Sequence, residues 1–177
     1  MVRTFIAIEP APEIRKKIAD AGIPLRENAR ITPVSPDLMH ITLKFLGEIP
    51  DTLIPEIKTA LDKISAAPYP LPTENISTFG RPPRVIKAEI HDSGKTAALA
   101  GQIDKLLAPL GIPKDDKPFS PHITIARIKD AAPGLTPQLR ELQNTRFGTC
   151  IISELLLKKS VLTTAGPIYT TLYRVKL

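Results

Sequence analysis

The tripeptide His-Ile-Thr occurs twice in this chain, at residues 40–42 and again at residues 122–124. The chain has only three histidines, so two of them head these tripeptides, and both stand in strings of apolar and β-branched residues that favour a strand. In a strand, residues i and i+2 point to the same face, about 6.6–7 Å apart. Each tripeptide therefore presents an imidazole and a hydroxyl on one face and its isoleucine on the other.

Two imidazoles on opposite sides of one anion can act as an acid–base pair. Because imidazole titrates near neutral pH, one ring can be neutral while the other is protonated. The neutral ring would take a proton from an attacking nucleophile, and the protonated ring would give a proton to the leaving oxygen on the far side. The hydroxyls of Thr42 and Thr124 would donate to the nonbridging oxygens of a phosphoryl group as charge develops. Such a site performs in-line displacement at phosphorus and needs no metal.

The residue pattern alone leaves two other interpretations of the histidines open, a structural role and a zinc site. A single His-x-Thr in a strand is a common structural feature, although two copies at matching places in the chain are a stronger signal. A zinc site would need His91 to join His40 and His122, but neither motif has an Asp or Glu at ligand spacing and threonine is a poor zinc ligand. His91 ends a predicted strand before a turn, where a surface position is expected.

Arg127 follows His122 by five residues, at the place that Phe45 occupies after His40. Strict alternation turns both side chains away from the histidine face. It assigns four residues of the first strand to the core: Met39, Ile41, Leu43 and Phe45. A bulge near the end of the second strand would return Arg127 to the histidine face, where it could bind a substrate phosphate. A surface ion pair is the alternative role for Arg127.

Hydrophobic periodicity and turn residues place the two motifs in matching halves of the chain. The predicted strands span residues 2–9, 39–47, 75–80, 84–91, 122–128, 149–162 and 168–177. The predicted helices span residues 11–22, 51–66, 93–111 and 136–144. Both halves follow the order strand, helix, His-Ile-Thr strand, helix, strand, which indicates an internal duplication with copies at about 1–83 and 84–177.

The predicted fold class is α+β, with two pseudo-symmetric lobes in a single domain. Each lobe is expected to be a mainly antiparallel sheet with helices on its outer face, and the two sheets are expected to face each other across a central cleft. Residues 80–90 contain no flexible linker, so two separate domains are not favoured. Each lobe would contribute one His-Ile-Thr strand to the cleft, as the acid–base chemistry requires.

Composition narrows the classes of partner. There are 24 basic and 18 acidic residues, and this excess of positive charge favours an anionic partner such as nucleic acid. Aromatic residues make up 5% with no tryptophan, which argues against an open surface that stacks single-stranded bases. The basic residues are scattered, and side chains such as Lys87, Lys158 and Arg174 would meet only distant phosphates of a long RNA.

The single cysteine, Cys150, excludes an internal disulfide and a multi-cysteine zinc site, and its strand-like surroundings predict a buried structural thiol. No apolar run approaches the roughly 20 residues that span a bilayer, and residues 1–9 lack the pattern of a signal peptide. We therefore expect a protein of the cytoplasm that does not contact a membrane.

The two motifs and their flanks resemble those of the 2H phosphoesterase superfamily, specifically the LigT-like RNA 2′,3′-cyclic phosphodiesterases. The resemblance covers nearly the whole chain, and four strings distributed along it carry the similarity: RTFIAIE, LMHITLKFLGE, PFSPHITIARIK and LLLKKSVLTTAGPIYTTLYRVKL. The resemblance implies that His40 and His122 are catalytic, with His40 as proton donor and His122 as proton acceptor. It implies that Thr42 and Thr124 bind the substrate, and that Arg127 matches the arginine that often follows the second motif.

The resemblance also implies a reaction, namely hydrolysis of a terminal 2′,3′-cyclic phosphate of RNA to a 2′-phosphate without a cofactor. Some relatives run the step backwards, with a 5′ hydroxyl as nucleophile, and join RNA ends through a 2′–5′ linkage. Fragments of tRNA and small cyclic nucleotides are further candidate substrates, and a monomer is expected. Lys87 departs from the pattern, because many relatives carry an aromatic residue there. The rival function is a non-catalytic module that binds RNA ends or nucleotides in the same cleft.

Overall fold

The computed structural model describes residues 1–27, 29–131 and 134–177. Its strands are β1 (Val2–Ile8), β2 (Ala29–Pro33), β3 (Ile41–Ile49), β4 (Tyr69–Phe79), β5 (Val85–Ile90), β6 (His122–Ala131), β7 (Arg146–Ile152), β8 (Glu154–Thr163) and β9 (Gly166–Lys176). Its α-helices are α1 (Pro12–Gly22), α2 (Ile54–Leu61), α3 (Lys95–Leu107) and α4 (Leu135–Glu141), and short 3₁₀ turns span Pro24–Glu27, Pro36–Leu38, Asp51–Leu53 and Ala108–Leu110. None of the helices in the described ranges combines the length and apolar character needed to cross a membrane.

The strands form two antiparallel sheets. The four-stranded sheet has the order β3-β1-β8-β9, and the five-stranded sheet has the order β2-β6-β5-β4-β7. Each sheet holds one of the two His-Ile-Thr strands, β3 at an edge of the first sheet and β6 inside the second, and these two strands contact each other. The predicted α+β class with two antiparallel sheets is confirmed.

The helices cover the faces of the sheets that carry the apolar side chains. Helix α1 packs against β6 and β7 and buries Ile14 and Ile18, whereas α3 packs against β3 and buries Leu99, Ile103 and Leu107. In each case the buried residues recur at helical spacing, so each helix has one apolar stripe that a sheet can cover. The opposite face of each His-Ile-Thr strand carries the histidine and the threonine.

Each sheet contains strands from both halves of the chain. Strands β2 and β4 belong to the five-stranded sheet, while β8 and β9 complete the four-stranded sheet. A boundary near residue 84 therefore does not separate the two sheets. The two strand pairs that carry the motifs are nevertheless alike, because Ala7 of β1 lies opposite Thr42 and Lys87 of β5 lies opposite Thr124. The internal duplication stays a prediction.

The single strand predicted over residues 149–162 is wrong. The chain breaks at Ser153 and changes sheets, so β7 pairs with β4 and β8 pairs with β1 and β9. A continuous apolar run hides such a change, because both segments satisfy the same local pattern. Strand β2 was not predicted. Cys150 lies on β7 and is half-buried, with its Sγ accepting a hydrogen bond from the Ala11 N–H at 3.5 Å.

Strand β4 begins at Tyr69, earlier than the predicted residue 75, and so includes Pro70 and Pro72. Proline lacks an N–H and is disfavoured inside a sheet. Both prolines lie in the part of β4 that pairs on one side only, with β7, because pairing with β5 starts at Thr73. Helix α2 ends at Leu61 rather than at residue 66.

Candidate active site

His40 stands between the 3₁₀ turn Pro36–Leu38 and the first residue of β3. Its Nδ1 lies 2.7 Å from the carbonyl oxygen of Leu38. The ring centroid lies 5.0 Å from that of Phe5 and 5.4 Å from that of Tyr169, whose ring plane is turned by 89°. A backbone hydrogen bond and two aromatic neighbours thus fix the orientation of this imidazole.

His122 is the first residue of β6 and is held in the same manner. Its Nδ1 lies 2.8 Å from the carbonyl oxygen of Ser120, which is again two residues earlier in the chain. Its ring meets Phe79 edge to face, with 4.8 Å between centroids and 79° between the planes. The two predicted histidines therefore occupy equivalent positions and make equivalent backbone contacts.

These contacts define which nitrogen of each ring is available for chemistry. A carbonyl oxygen only accepts hydrogen bonds, so Nδ1 of His40 and of His122 must carry a proton in the bonded ring. In the neutral form of each histidine, Nε2 then holds the lone pair. The Nε2 of His40 lies 3.1 Å from Oγ1 of Thr42, which donates to it in this tautomer. The predicted sharing of one face by His40 and Thr42 is therefore present in the structure.

Burial lowers the pKa of both imidazoles below 6.5, although the backbone hydrogen bonds oppose this change. The charge of Lys158 lowers the pKa of His40 further, Glu9 raises it, and the proximity of His122 lowers it again. Lys87 lowers the pKa of His122. Each free ring is therefore biased toward the neutral form, and an anion placed between the two rings would favour protonation of one of them.

A β-bulge in β6 brings Arg127 to the histidine face. Lys87 pairs with Thr124 and the preceding Ile86 pairs with Ala126, so Ile125 is an extra residue in β6. Ile125 and Ala126 are consecutive and both buried, so the alternation is shifted by one residue when the strand reaches Arg127. Burial raises the pKa of Tyr169, and the charges of Arg127 and Arg3 partly offset that rise, which places Arg127 near a ring that contacts His40. Within the described residues, Arg127 forms no ion pair.

The same bulge occurs in β3 and overturns the prediction for Phe45. Ala7 pairs with Thr42 and Ile6 pairs with Lys44, so Leu43 is the extra residue. Phe45 then points to the histidine face and is 66% exposed, whereas Met39, Ile41 and Leu43 are buried as predicted. Phe45 and Arg127 thus occupy matching positions of the two motifs.

The bulge in β3 also buries Lys44, which alternation places on the polar face. Its Nζ donates to Oδ1 of Asp104 at 2.5 Å and to the carbonyl oxygen of Pro113 at 2.8 Å. Asp104 belongs to α3, and Pro113 belongs to the segment that leads to His122. The buried ammonium thus connects β3, α3 and the approach to β6.

Two lysine–glutamate pairs flank the histidines. Lys158 donates to Glu9, and Nζ of Lys87 lies 3.4 Å from Oε1 of Glu89. Both lysines are buried, so the expectation that they meet only distant RNA phosphates is wrong. Glu89 lies opposite His122 in the β5–β6 ladder. On the other sheet, Ile8 lies opposite Ile41, so Glu9, the next residue after Ile8, comes close to His40. The sequence could have indicated these two pairs, because a glutamate occurs at the end of both β1 and β5.

His91 follows β5 and is about half exposed, with its Nε2 3.6 Å from Oε2 of Glu89. In residues 1–27, 29–131 and 134–177, no group of three His, Cys, Asp or Glu side chains is arranged to hold a metal ion. Arg174 lies at the surface, with its guanidinium 2.5 Å from Glu154.

The family model for LigT like Phosphoesterase matches residues 8–87 and again residues 91–169. The chain belongs to this phosphoesterase family. An RNA 2′,3′-cyclic phosphodiesterase of Aeropyrum pernix is 33% identical over 168 aligned residues, and the match covers 92% of this chain and 92% of the relative. A crystal structure from Thermus thermophilus is 30% identical with a TM-score of 0.83 and covers 99% of this chain and 97% of its own. The crystal structure of E. coli LigT complexed with 3′-AMP is 26% identical with a TM-score of 0.83, and the match covers 99% of this chain and 98% of the LigT chain.

Membership in the LigT-like family confirms the resemblance inferred from the motifs. Each of the two matched ranges contains one His-Ile-Thr tripeptide. The similarity to solved structures over nearly the whole chain extends the agreement from the motifs to the arrangement of the sheets around them.

Proposed function

We propose that this LigT-like phosphoesterase hydrolyses the terminal 2′,3′-cyclic phosphate of RNA to a 2′-phosphomonoester by two-histidine acid–base catalysis. The observation that carries the proposal is the matched pair of imidazoles, each tethered through Nδ1 to the carbonyl two residues earlier, so that Nε2 is the nitrogen that can exchange a proton with the substrate. The activity of the Aeropyrum pernix relative on RNA 2′,3′-cyclic phosphates and the nucleotide in the E. coli LigT crystal support the choice of substrate.

The proposed step is an in-line displacement at phosphorus. A water molecule gives its proton to Nε2 of neutral His122 while its oxygen bonds to phosphorus. The bond between phosphorus and O3′ breaks on the opposite side, and O3′ takes the proton from Nε2 of protonated His40. The product carries a 3′ hydroxyl and a 2′-phosphate, and the two histidines exchange protonation states. The assignment of donor and acceptor follows the family resemblance.

The threonines and Arg127 are proposed to bind the phosphoryl group. In the free enzyme, Thr42 donates to neutral His40, so its hydroxyl hydrogen is engaged. When His40 is protonated, Nε2 no longer accepts from Thr42, so the hydroxyl of Thr42 is released to donate to a nonbridging oxygen while the Nε2 proton faces O3′. Thr124, which shares the face of His122 on β6, would donate to another nonbridging oxygen. Arg127, which the bulge brings to the histidine face, would supply positive charge to the anion.

The proposal is tested with a short RNA that ends in a 2′,3′-cyclic phosphate, incubated with the protein in excess EDTA. Conversion to a 2′-phosphomonoester supports the proposal, and a 5′-hydroxyl RNA added to the same reaction, where it would replace water as the nucleophile, reports ligation through a 2′–5′ linkage. Binding without turnover would instead support the non-catalytic module. Activity that disappears with EDTA would favour a metal-dependent reaction.

The roles of the histidines are tested with a phosphodiester whose leaving group is p-nitrophenolate. This group departs without a proton, so the donor becomes dispensable while the acceptor does not. His40→Ala should recover most of its rate on this substrate, and His122→Ala should not. The opposite pattern would exchange the two roles and leave the reaction itself intact.

A further inference from the structure

Three strands of the five-stranded sheet place polar side chains on the face that carries His122. On β5, Lys87 lies opposite Thr124 and Glu89 lies opposite His122. On β4, Ser77 lies opposite Lys87. Paired residues of neighbouring strands point to the same face of a sheet, so these side chains form one cluster beside the proposed proton acceptor.

The ammonium of Lys87 lies between an aromatic ring and a carboxylate. Its Nζ is 4.3 Å from the centroid of the Phe79 ring and 3.4 Å from Oε1 of Glu89. The same Phe79 ring meets His122 edge to face, with 4.8 Å between the centroids. Because Lys87 is only 8% exposed, its attraction to the ring is little weakened by water, and the ring is fixed where it packs against the imidazole.

The carboxylate of Glu89 is engaged by groups other than His122. Oγ of Ser77 donates to its Oε1 at 2.5 Å, and Nε2 of His91 lies 3.6 Å from its Oε2. The hydrogen bond from Ser77 holds the pKa of Glu89 below its ordinary value, burial opposes this change, and the charge of Lys87 adds to it. Glu89 is therefore an anion whose two oxygens are directed to these partners.

The charged and titratable side chains around His122 come from β5, the residue after β5, β6 itself and β3: Lys87, Glu89, His91, Arg127 and His40. Burial lowers the pKa of His122 most, and Lys87 is the charge that lowers it further. At His40 the charges of Lys158 and Glu9 have opposite effects on the pKa, and these two side chains are hydrogen-bonded to each other. The lysine beside His122 is more loosely paired than the lysine beside His40.

We infer that Lys87 is a positioning residue for His122, an inference that rests on the proposed function. Its ammonium fixes the phenyl ring against which the imidazole packs, and it supplies a positive charge that opposes protonation of that imidazole. A proton acceptor must be neutral when the nucleophile arrives, and a nearby like charge disfavours the protonated form. Lys87 performs this role without contacting the substrate.

NMR titration of the histidine rings in the free protein tests the inference independently of catalysis. The chain has three histidines, so the His122 signal is assigned by its absence from His122→Ala. Lys87→Met keeps the length of the side chain and removes its charge, so the pKa of His122 should rise by roughly 0.5–1 unit, within the spread that protein environments impose on histidine. Lys87→Arg keeps the charge and should titrate like wild type.

The same variants should change one limb of the pH profile of kcat/KM on an RNA with a terminal 2′,3′-cyclic phosphate. Because the acceptor must be neutral, a higher pKa of His122 should lower kcat/KM on the acidic limb by roughly 3- to 10-fold at a fixed pH. The alkaline limb depends on His40 and should stay in place, and Lys87→Arg should restore the acidic limb. A purely structural role would instead lower kcat/KM at every pH.

Lys129→Met is the matched control, since it removes an exposed lysine from β6, the strand of His122. It should change neither the pKa of His122 nor the acidic limb. Lys87→Gln is a second variant without the charge, whose amide can still donate to Glu89, and it should behave as Lys87→Met does.

An unchanged pKa of His122 in the folded methionine or glutamine variant would overturn the inference. An equal rise of this pKa in Lys87→Arg would also overturn it, because the charge would then not be the cause. If wild type cleaves no cyclic phosphate, it is the proposed function that fails, whereas the NMR titration still decides whether Lys87 controls the protonation of His122.

Discussion

Replacing the buried Lys44 with methionine should lower the free energy of unfolding by about 3 kcal/mol. The side chain of Lys44 is 1% exposed, and its ammonium holds Asp104 and the carbonyl of Pro113 at 2.5 and 2.8 Å. Removing one partner of a buried ion pair costs about 3–5 kcal/mol because the other charge is left uncompensated. Asp104 is 19% exposed, so water can reach the remaining carboxylate and the lower end of this range applies.

Thermal and urea unfolding measure this loss. Unfolding entropy of about 2.1 cal/mol/K per residue gives about 0.37 kcal/mol/K for a chain of 177 residues, so 3 kcal/mol corresponds to a fall in Tm of about 8 °C. Since Lys44 points away from the cleft, kcat/KM at a temperature well below Tm should change little. Lys159→Met, which removes an exposed lysine, is the control and should change stability by less than about 0.5 kcal/mol.

The double variant K44M/D104L provides the second half of this test. A buried ion pair replaced by apolar side chains of similar volume is often neutral or stabilising, so the second substitution should restore most of the lost stability. A loss below about 1 kcal/mol for Lys44→Met, or no recovery in the double variant, would refute the reasoning that this pair holds β3 to α3.

The remaining predictions concern the reaction itself. Because burial lowers the pKa of both histidines, the bell-shaped pH profile of kcat/KM should have its maximum below pH 6.5 and should fall at higher pH as the donor loses its proton. A maximum above pH 7 in wild type would contradict this pH dependence. Lys158→Met removes a charge that lowers the pKa of His40, so the alkaline limb of its profile should move to higher pH. Lys159→Met is the control and should leave the alkaline limb in place. Thr42→Val and Thr124→Val keep the β-branched shape and should each raise the barrier by roughly 2–4 kcal/mol, seen as lower kcat with less change in KM. Full kcat in the valine variants would return the threonines to a packing role.

Alternation along the chain was sufficient to predict the two motif strands and the shared face of His40 and Thr42. It failed beyond the threonines, where a bulge shifts the phase by one residue. Phe45 and Lys44 therefore exchanged environments relative to the prediction, the first becoming exposed and the second buried. A bulge depends on the register between two strands, which a single strand does not encode. For Arg127 the possibility could be stated in advance, because bulges are common near the ends of strands and one there would return the side chain to the histidine face.

Burial of charge was the second feature that local pattern could not supply. Lys87 and Lys158 were predicted to be surface charges, but both are buried. Lys87 lies beside Glu89, two residues along the same strand, whereas Lys158 lies beside Glu9, which only the pairing of β1 with β8 brings close. The prediction of one strand over residues 149–162 failed because the local pattern does not show which strand each part pairs with. The apolar segment divides where pairing with β4 ends and pairing with β1 begins. The motifs themselves were predictable, while the side chains that adjust their electrostatics depended on tertiary pairing.

The most direct test of two-histidine catalysis is kcat/KM for wild type, His40→Ala, His122→Ala and the double variant on one RNA with a terminal 2′,3′-cyclic phosphate. Each single substitution should cost at least about a hundredfold, the lower end for a lost general acid or base. The double variant should lose far less than the product of the two factors, because the two rings act as a unit. Near wild-type turnover by either single variant, with folding confirmed by an unchanged Tm, would contradict the mechanism.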